Sequence, residues 1–322
     1  MTNFKQTLST ITDYIKADIF PGASLALYDG QDWQEHYLGT QDGTIPVVPG
    51  LTYDLASVSK VVGVGTLCLF YLQAGKLDLD EKLSTYYPEV VDKTLTLRQL
   101  LSHSSGIDPF IPNRDELDQA GLISAINAIK VKADKPFLYT DINFILLGLM
   151  LEKLSGQRLD RLFDSEIFQP FGMSETQFGP VEVAVPTVKG VTGGTVHDPK
   201  ARVLKEHTGS AGLFSTLKDL EIFVNHYLTD DFAKNMTQNI SQSNKERSVA
   251  WDLQGEWILH TGYTGTFVLI NIPAQRAAIF LSNRTYYKDE RAQWIKDRDV
   301  LIEIMKTVSY THLRAHETRH DL

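Results

Sequence analysis

The stretch Asp54-Leu55-Ala56-Ser57-Val58-Ser59-Lys60 runs directly into an uncharged apolar segment, Val61 to Leu72. The length and composition of that segment predict a buried helix over 58–74, with Gly75 as its stop signal. Ser57 then lies in the first turn. Positions i and i+3 share one helical face, so the Lys60 amine reaches the Ser57 hydroxyl. The partial positive charge of a helix N-terminus favours an ionised serine and a neutral lysine. Burial of a lysine in an apolar interior works the same way, by up to ~3–5 pKa units. The combination makes a serine nucleophilic without a histidine. Spacing alone is equally met by a helix N-cap followed by a solvated lysine, so the reading needs further residues. Gly63 and Gly65 inside the helix each cost about 1 kcal/mol relative to alanine, which implies close packing against another backbone.

The whole chain has 322 residues, 43% hydrophobic content, a net charge of −9 and a pI near 5.5. That length supports a large core and about two domains. No Lys/Arg cluster of the kind that binds phosphates is present, which argues against nucleic acid. The single cysteine, Cys68, sits inside the apolar segment and excludes an internal disulfide. The N-terminal residues do not lead into a signal-peptide apolar region; Phe4, Leu8, Ile11, Tyr14 and Ile15 recur instead at helical spacing. The apolar run 61–72 is shorter than the ~20 residues of a membrane helix. The expectation is a soluble cytoplasmic protein with no membrane span.

Outward from the serine, the period changes along the chain. Ala23 to Tyr28 and Trp33 to Leu38, around Asp29-Gly30, read as a β-hairpin. From about 80 to 204 the pattern is helical, including Asn143 to Leu154 ended by Ser155-Gly156. Trp257 to His260, Thr266 to Ile272 and Ala277 to Ser282 read as strands, and Trp294, Leu301, Met305 and Val308 mark one face of a closing helix. Strands at both ends with helices between predict an α+β fold. One antiparallel sheet is built from both chain ends, with a helical domain inserted and a cleft between them. The boundaries expected are 1–55 plus 205–308 for the sheet domain and 56–204 for the helical one. Residues 309–322 break the apolar period; Thr311 to Thr318 resembles adapter-derived read-through. A helix there would align His312, His316 and His320 as a metal-binding stripe, but the segment is expected to be a non-native or disordered tail outside the fold.

A serine–lysine hydrolase needs a second proton-transfer group, oxyanion donors and a strand edge for substrate. Tyr139-Thr140-Asp141 precedes a helix, and Tyr139 can pass a proton beside the lysine. Tyr139 could equally be a core aromatic, and Asp141 a helix N-cap. Downstream, His260-Thr261-Gly262-Tyr263-Thr264-Gly265 joins two strands, and small residues there let substrate approach. The backbone N–H groups of Ser57 and Tyr263 would form the oxyanion hole; an ordinary hairpin turn is the alternative for the glycines.

These motifs, in this order, resemble the serine β-lactamase-related family: class C β-lactamases, low-molecular-weight penicillin-binding proteins, D-aminopeptidases and lactamase-like esterases. The first motif is Ser57-Val58-Ser59-Lys60, the second Tyr139-Thr140-Asp141, the third His260-Thr261-Gly262. Leu100 to Gly106, Gly194 to Asp198, Ala211 to Thr216 and Leu281 to Arg284 look familial as well, and the match runs from about 20 to 290. The resemblance implies a β-lactamase/transpeptidase-like fold and a Ser57 acyl-enzyme. Lys60 and Tyr139 would move the proton, and Asp141, His260, Thr261 and Gly262 would bind substrate. It implies no metal and no organic cofactor. The substrate is a small ester, amide or peptide; the oligomeric state is not readable.

Two departures shape the expectation. His260 stands where lactamases carry lysine, replacing a fixed charge with one that titrates near neutrality; this points to an esterase or D-aminopeptidase rather than a β-lactamase. Asp141 replaces asparagine and adds a negative charge that disfavours anionic substrates. His103 is expected to bond backbone, and His197-Asp198 to order a loop beside the cleft. The alternatives are a slow penicillin-binding-like or regulatory module of the same fold, and an α/β-hydrolase with Ser210 in Thr208-Gly209-Ser210-Ala211-Gly212 as nucleophile.

Overall fold

The computed structural model describes the backbone of residues 2–317 and the side chains of residues 4–307. Asp29 makes the first turn: its carboxylate accepts the N–H groups of Gln31 and Asp32 at 3.1 and 3.2 Å, and Gly30 supplies φ +96°. That turn pairs β1 (Gly22–Tyr28) with β2 (Trp33–Gly39). The other end of the chain supplies β6 (Asp252–Gln254), β7 (Trp257–Thr261), β8 (Phe267–Asn271) and β9 (Arg276–Ser282). The sheet order is β2-β1-β9-β8-β7-β6, all antiparallel. Chain start and chain end therefore meet at the β1–β9 pair, as the sequence pattern requires.

Alternation along these strands places Leu25, Leu269 and Phe280 on one face and Ala26, Val268, Ile279 and Leu281 on the other. The first face is covered by helix Thr2–Lys16 and the closing helix through Ile11, Trp294 and Leu301. The second packs on the main core, which includes helix Leu217–Thr229 and helix Ile142–Ser155. Both faces being buried explains why these antiparallel strands read as continuous apolar runs.

A second, three-stranded sheet, ordered β3-β5-β4, joins β3 (Thr52–Asp54), β4 (Gln177–Phe178) and β5 (Leu213–Thr216). These strands have two to four residues, too few for a period to show in sequence. They set the site: β3 delivers the chain to Ser57, and Leu55 N–H bonds Leu213 O at 2.9 Å.

The segment after Ser57 is less regular than expected. Ala56–Val58 is a 3-10 turn, Val61–Gly65 is a π-helical stretch, and α-helix begins only at Thr66 and runs to Gln73. The glycines sit against side chains rather than another backbone. A Cβ on Gly63 would strike the Phe163 ring, and one on Gly65 would lie 2.7 Å from the Ala250 Cβ. Residues 56–73 are long and apolar enough to cross a membrane by length and composition, and 78% of the stretch is buried in the fold. The closing helix, Arg291–Glu317, takes in part of the segment expected to lie outside the fold; residues 318–322, with His320, lie outside the described residues.

Candidate active site

Lys60 is wholly buried and its amine is saturated. An ammonium has three donors, and they go to Ser57 Oγ at 2.8 Å, Asp141 Oδ1 at 2.7 Å and the Ser210 carbonyl at 2.8 Å. Each acceptor arrives by a different route. Ser57 is three residues back on the 3-10 turn. Asp141 stands at the start of helix Ile142–Ser155 without capping it. Ser210 is brought in where that helix meets the 209 loop, with Gly148 so close to Gly209 that a Cβ would lie 3.1 Å from its backbone. The N-cap alternative for Asp141 is therefore not what the side chain does.

The charge state of Lys60 differs from the sequence expectation. Burial pushes the amine down, but the Asp141 carboxylate and the Tyr139 hydroxyl push it up, and the net shift is upward. Lys60 is an ammonium, not a neutral base. Asp141 also accepts Lys200 Nζ at 2.9 Å, and Lys200 pairs with Asp198 at 3.3 Å. Burial pushes the Asp141 carboxyl up, yet the two lysines hold it well below the usual carboxylate range. The negative charge expected at 141 is thus matched from both sides rather than offered to substrate.

Tyr139 stands beside this group. Its ring centroid is 5.2 Å from Lys60 Nζ, and it stacks on His103 at 4.4 Å. His103 bonds the Asn143 side chain at 2.9 Å, not backbone as expected, and burial with the Arg247 and Lys60 charges keeps its ring neutral. His103 is a packing partner of Tyr139, which its place in the sequence could not reveal.

His260 is the second correction. It is buried, and burial followed by the Lys60 and Arg247 charges pushes its pKa well below the ordinary value. The ring is neutral throughout the usual range and does not titrate near neutrality. Positive charge on this side comes instead from Arg247 and from Arg298, whose Nη1 donates to Thr261 Oγ1 at 3.2 Å. Gly262 is required by crowding: a Cβ there would strike Thr266 Oγ1 and lie 2.6 Å from the Leu55 carbonyl.

Two clefts meet at Tyr139. One, of about 470 Å³, is lined by Ser57, Tyr139, Asp141, Lys200, Tyr263 and, at its outer wall, Arg291. The other, of about 370 Å³, is lined by Tyr139, His260, Thr261, Arg247, Arg298 and Lys245. Every side chain singled out in the three motifs lines one of them, apart from Lys60 beneath the floor and Gly262 in the turn between. Tyr263 lies in that turn, whose backbone bonds use the Gly262 and Gly265 N–H groups. His197 and Asp198 line the first cleft, as expected. Ser210 is fully buried with its hydroxyl on Thr208, and among the described residues every paired strand is antiparallel, so the elbow reading fails. Lys200, Arg247 and Arg298 were not singled out from sequence; among the described residues no His/Cys/Asp/Glu cluster could hold a metal.

Comparison with known proteins gives concordant results. A profile of the Beta-lactamase family matches residues 9–302. A protein of Escherichia coli (strain K12) bearing the name of a D-alanyl-D-alanine carboxypeptidase is 25% identical, over 80% of this chain and 73% of its own. Among solved structures, EstCE1, a hydrolase with promiscuous acyltransferase activity, superposes with a TM-score of 0.74 at 17% identity, covering 95% of this chain and 98% of that one. A β-lactamase/D-alanine carboxypeptidase from Pseudomonas syringae gives 0.70 at 17% identity, covering 94% and 99%.

Proposed function

The chain belongs to the Beta-lactamase family, and from that premise we propose that it is a serine hydrolase that opens an ester or small amide bond through a Ser57 acyl-enzyme. The observation that carries this reading is the grip of a saturated Lys60 ammonium on Ser57 Oγ at 2.8 Å on the floor of an open cleft. Lys60 uses all three donors and carries its proton, so it orients Ser57 and stabilises negative charge there. The group left to take the Ser57 proton is Tyr139, which enters the step as its phenolate beside the Lys60 ammonium and becomes the phenol as Ser57 is deprotonated. Ser57 Oγ then bonds the substrate carbonyl carbon, and the carbonyl electrons move to oxygen. The Ser57 and Tyr263 N–H groups receive that oxyanion. As the tetrahedral species collapses, Tyr139 returns the proton to the leaving group. Water repeats the sequence to release the acyl group and restore Ser57. No step in this scheme uses a metal or a cofactor.

Esters head the substrate order because they ask least of the acid that protonates the leaving group. A second reading, a peptide ending in a free carboxylate, draws on Arg298 bonded to Thr261 and Arg247 nearby. The test is a fluorophosphonate probe on wild type and Ser57→Ala, followed by p-nitrophenyl esters, D-amino-acid p-nitroanilides and a chromogenic cephalosporin. Labelling lost in Ser57→Ala, with ester turnover, is the expected result. Equal labelling of both proteins removes the proposal, and strong cephalosporin turnover removes the substrate order.

A further inference from the structure

Asp54 is the last residue of β3 and is 2% exposed. Its two carboxylate oxygens accept from two backbone N–H groups on different segments: Oδ1 from Ala56 at 2.8 Å, Oδ2 from His197 at 2.7 Å. The first bond fixes the residue that precedes Ser57. Ala56 has φ +46°, a left-handed conformation that a side chain disfavours, and the Asp54 bond holds the turn in it. The second bond anchors the segment where Asp198 accepts Ala201 N–H and Lys200 reaches Asp141. The backbone of the same residue adds a third connection: the Asp54 carbonyl accepts Thr264 Oγ1 at 2.9 Å, and the Leu55 carbonyl accepts Thr266 Oγ1 at 3.0 Å. Those threonines belong to the turn that carries Tyr263. The nucleophile turn, the Lys200 wall and the Tyr263 turn all meet at one residue.

We propose that Asp54 is a positioning residue: its ionised carboxylate ties the turn that presents Ser57 to the wall that carries Lys200, and Ser57 reacts at full rate only while that tie is charged. The inference rests on the serine-hydrolase reading above.

The surroundings make the charge conditional. The titratable and charged groups nearest the carboxylate are His197 and Asp198 on the facing segment. Tyr263, backed by Arg284 and Asp289, lies on the turn, with Lys60 beyond Ser57. The carboxylate bonds instead to the two backbone N–H groups of Ala56 and His197. Burial pushes the Asp54 carboxyl up, the His197 and Ala56 N–H groups pull it back, Asp198 adds to the rise, and the result is about 6. Protonation removes an acceptor from one of the two ties. Lys60, Asp141, His103 and His260 do not change charge near that pH, by the shifts described above.

The experiment follows the second-order rate of the fluorophosphonate reaction between about pH 5 and about pH 8. It uses wild type, Asp54→Asn and His197→Gln, with the melting temperature of each. Wild type is expected to slow as pH falls through about 6. Asp54→Asn keeps the shape but loses one tie; it should react on the order of 10–100-fold more slowly at neutral pH and lose the acid limb while still melting cooperatively. His197→Gln keeps the backbone N–H and should keep the limb. A flat wild-type profile, an Asp54→Asn variant with wild-type rate and limb, or loss of the limb in His197→Gln each overturns the inference. Should Asp54→Asn not fold, the wild-type and His197→Gln profiles decide alone. Labelling of wild type that does not depend on Ser57 overturns this inference together with the function beneath it; a Ser57-dependent reaction indifferent to Asp54 overturns only the inference.

Discussion

Two carboxylates flank the nucleophile turn, and the protein treats them in opposite ways. Asp141 lies between the ammonium groups of Lys60 and Lys200 and is held well below the ordinary carboxylate range. Asp54 meets only backbone N–H groups and is pushed up to about 6. Desolvation pushes both carboxyls up, Asp54 fully buried and Asp141 partly open to the cleft, and only Asp141 meets full counter-charges that reverse the push. On the Asp141 side the charges are locked at any ordinary pH. On the Asp54 side the charge is conditional, and the geometry that depends on it is conditional too.

The strongest way to break this contrast is Lys60→Met. Removing the ammonium takes away the orienting group of Ser57 and leaves Asp141 to Lys200 alone. Reaction with the fluorophosphonate should fall on the order of 10²–10⁴-fold. Stability should fall by up to about 3–5 kcal/mol, towards the low end because Lys200 remains. Rate and thermal unfolding measure the two, and an unchanged rate would remove the locked side of the comparison.

Asp141→Asn sharpens the contrast. Without its carboxylate, burial of Lys60 is opposed mainly by Tyr139, and the amine should release its proton at lower pH. The expected result is a rate that drops by up to roughly tenfold as pH rises and the ammonium is lost, where wild type stays level. A profile parallel to wild type would show that Asp141 does not set the charge of Lys60.

Stability separates the two carboxylates by sign. The raised pKa of Asp54 means that the folded protein binds this proton more tightly than the unfolded chain. Stability should therefore rise as pH falls from about 6 towards about 4. The depressed pKa of Asp141 means the reverse: its contribution is present above about 4 and lost as pH falls further. Chemical denaturation across that range should show the upper slope vanish in Asp54→Asn and persist in Asp141→Asn. The smallest effect belongs to Lys200→Met, which leaves Asp141 paired with Lys60. A shift of about 1 kcal/mol or less is expected, with a few-fold rise in KM for the ester that wild type turns over best.

Much of the site could be read before the structure because its chemistry is local. Ser57 and Lys60 are three residues apart, and any helical turn brings them together. The centre of the sheet was readable because β1, β8 and β9 are five to seven residues long and apolar on both faces. What escaped reading lies in long-range pairings. Asp141 reads from the sequence as an added charge, by resemblance to a motif that carries asparagine. Its partners Lys60 and Lys200 lie 81 and 59 residues away in opposite directions, and nothing local says that either will arrive. From sequence alone a histidine reads as exposed, which gives His260 a titration near neutrality; burial beside two cations reverses that. Asp54 stood in the stretch that opened the reading, yet its role comes from one bond to Ala56 and one to a segment 143 residues on. Strands β3 to β6 have two to four residues and leave no period to find.

The saturation of Lys60 has a practical outcome for amine chemistry. Reductive methylation and acylation require a neutral, accessible nitrogen with a free lone pair. At position 60 the nitrogen is buried, charged and bonded through every hydrogen. Reagents of this kind should modify the exposed lysines, Lys16 and Lys234 among them, and pass over this one. The protein can thus be tethered to a support or isotopically tagged through its surface amines with Ser57 left intact.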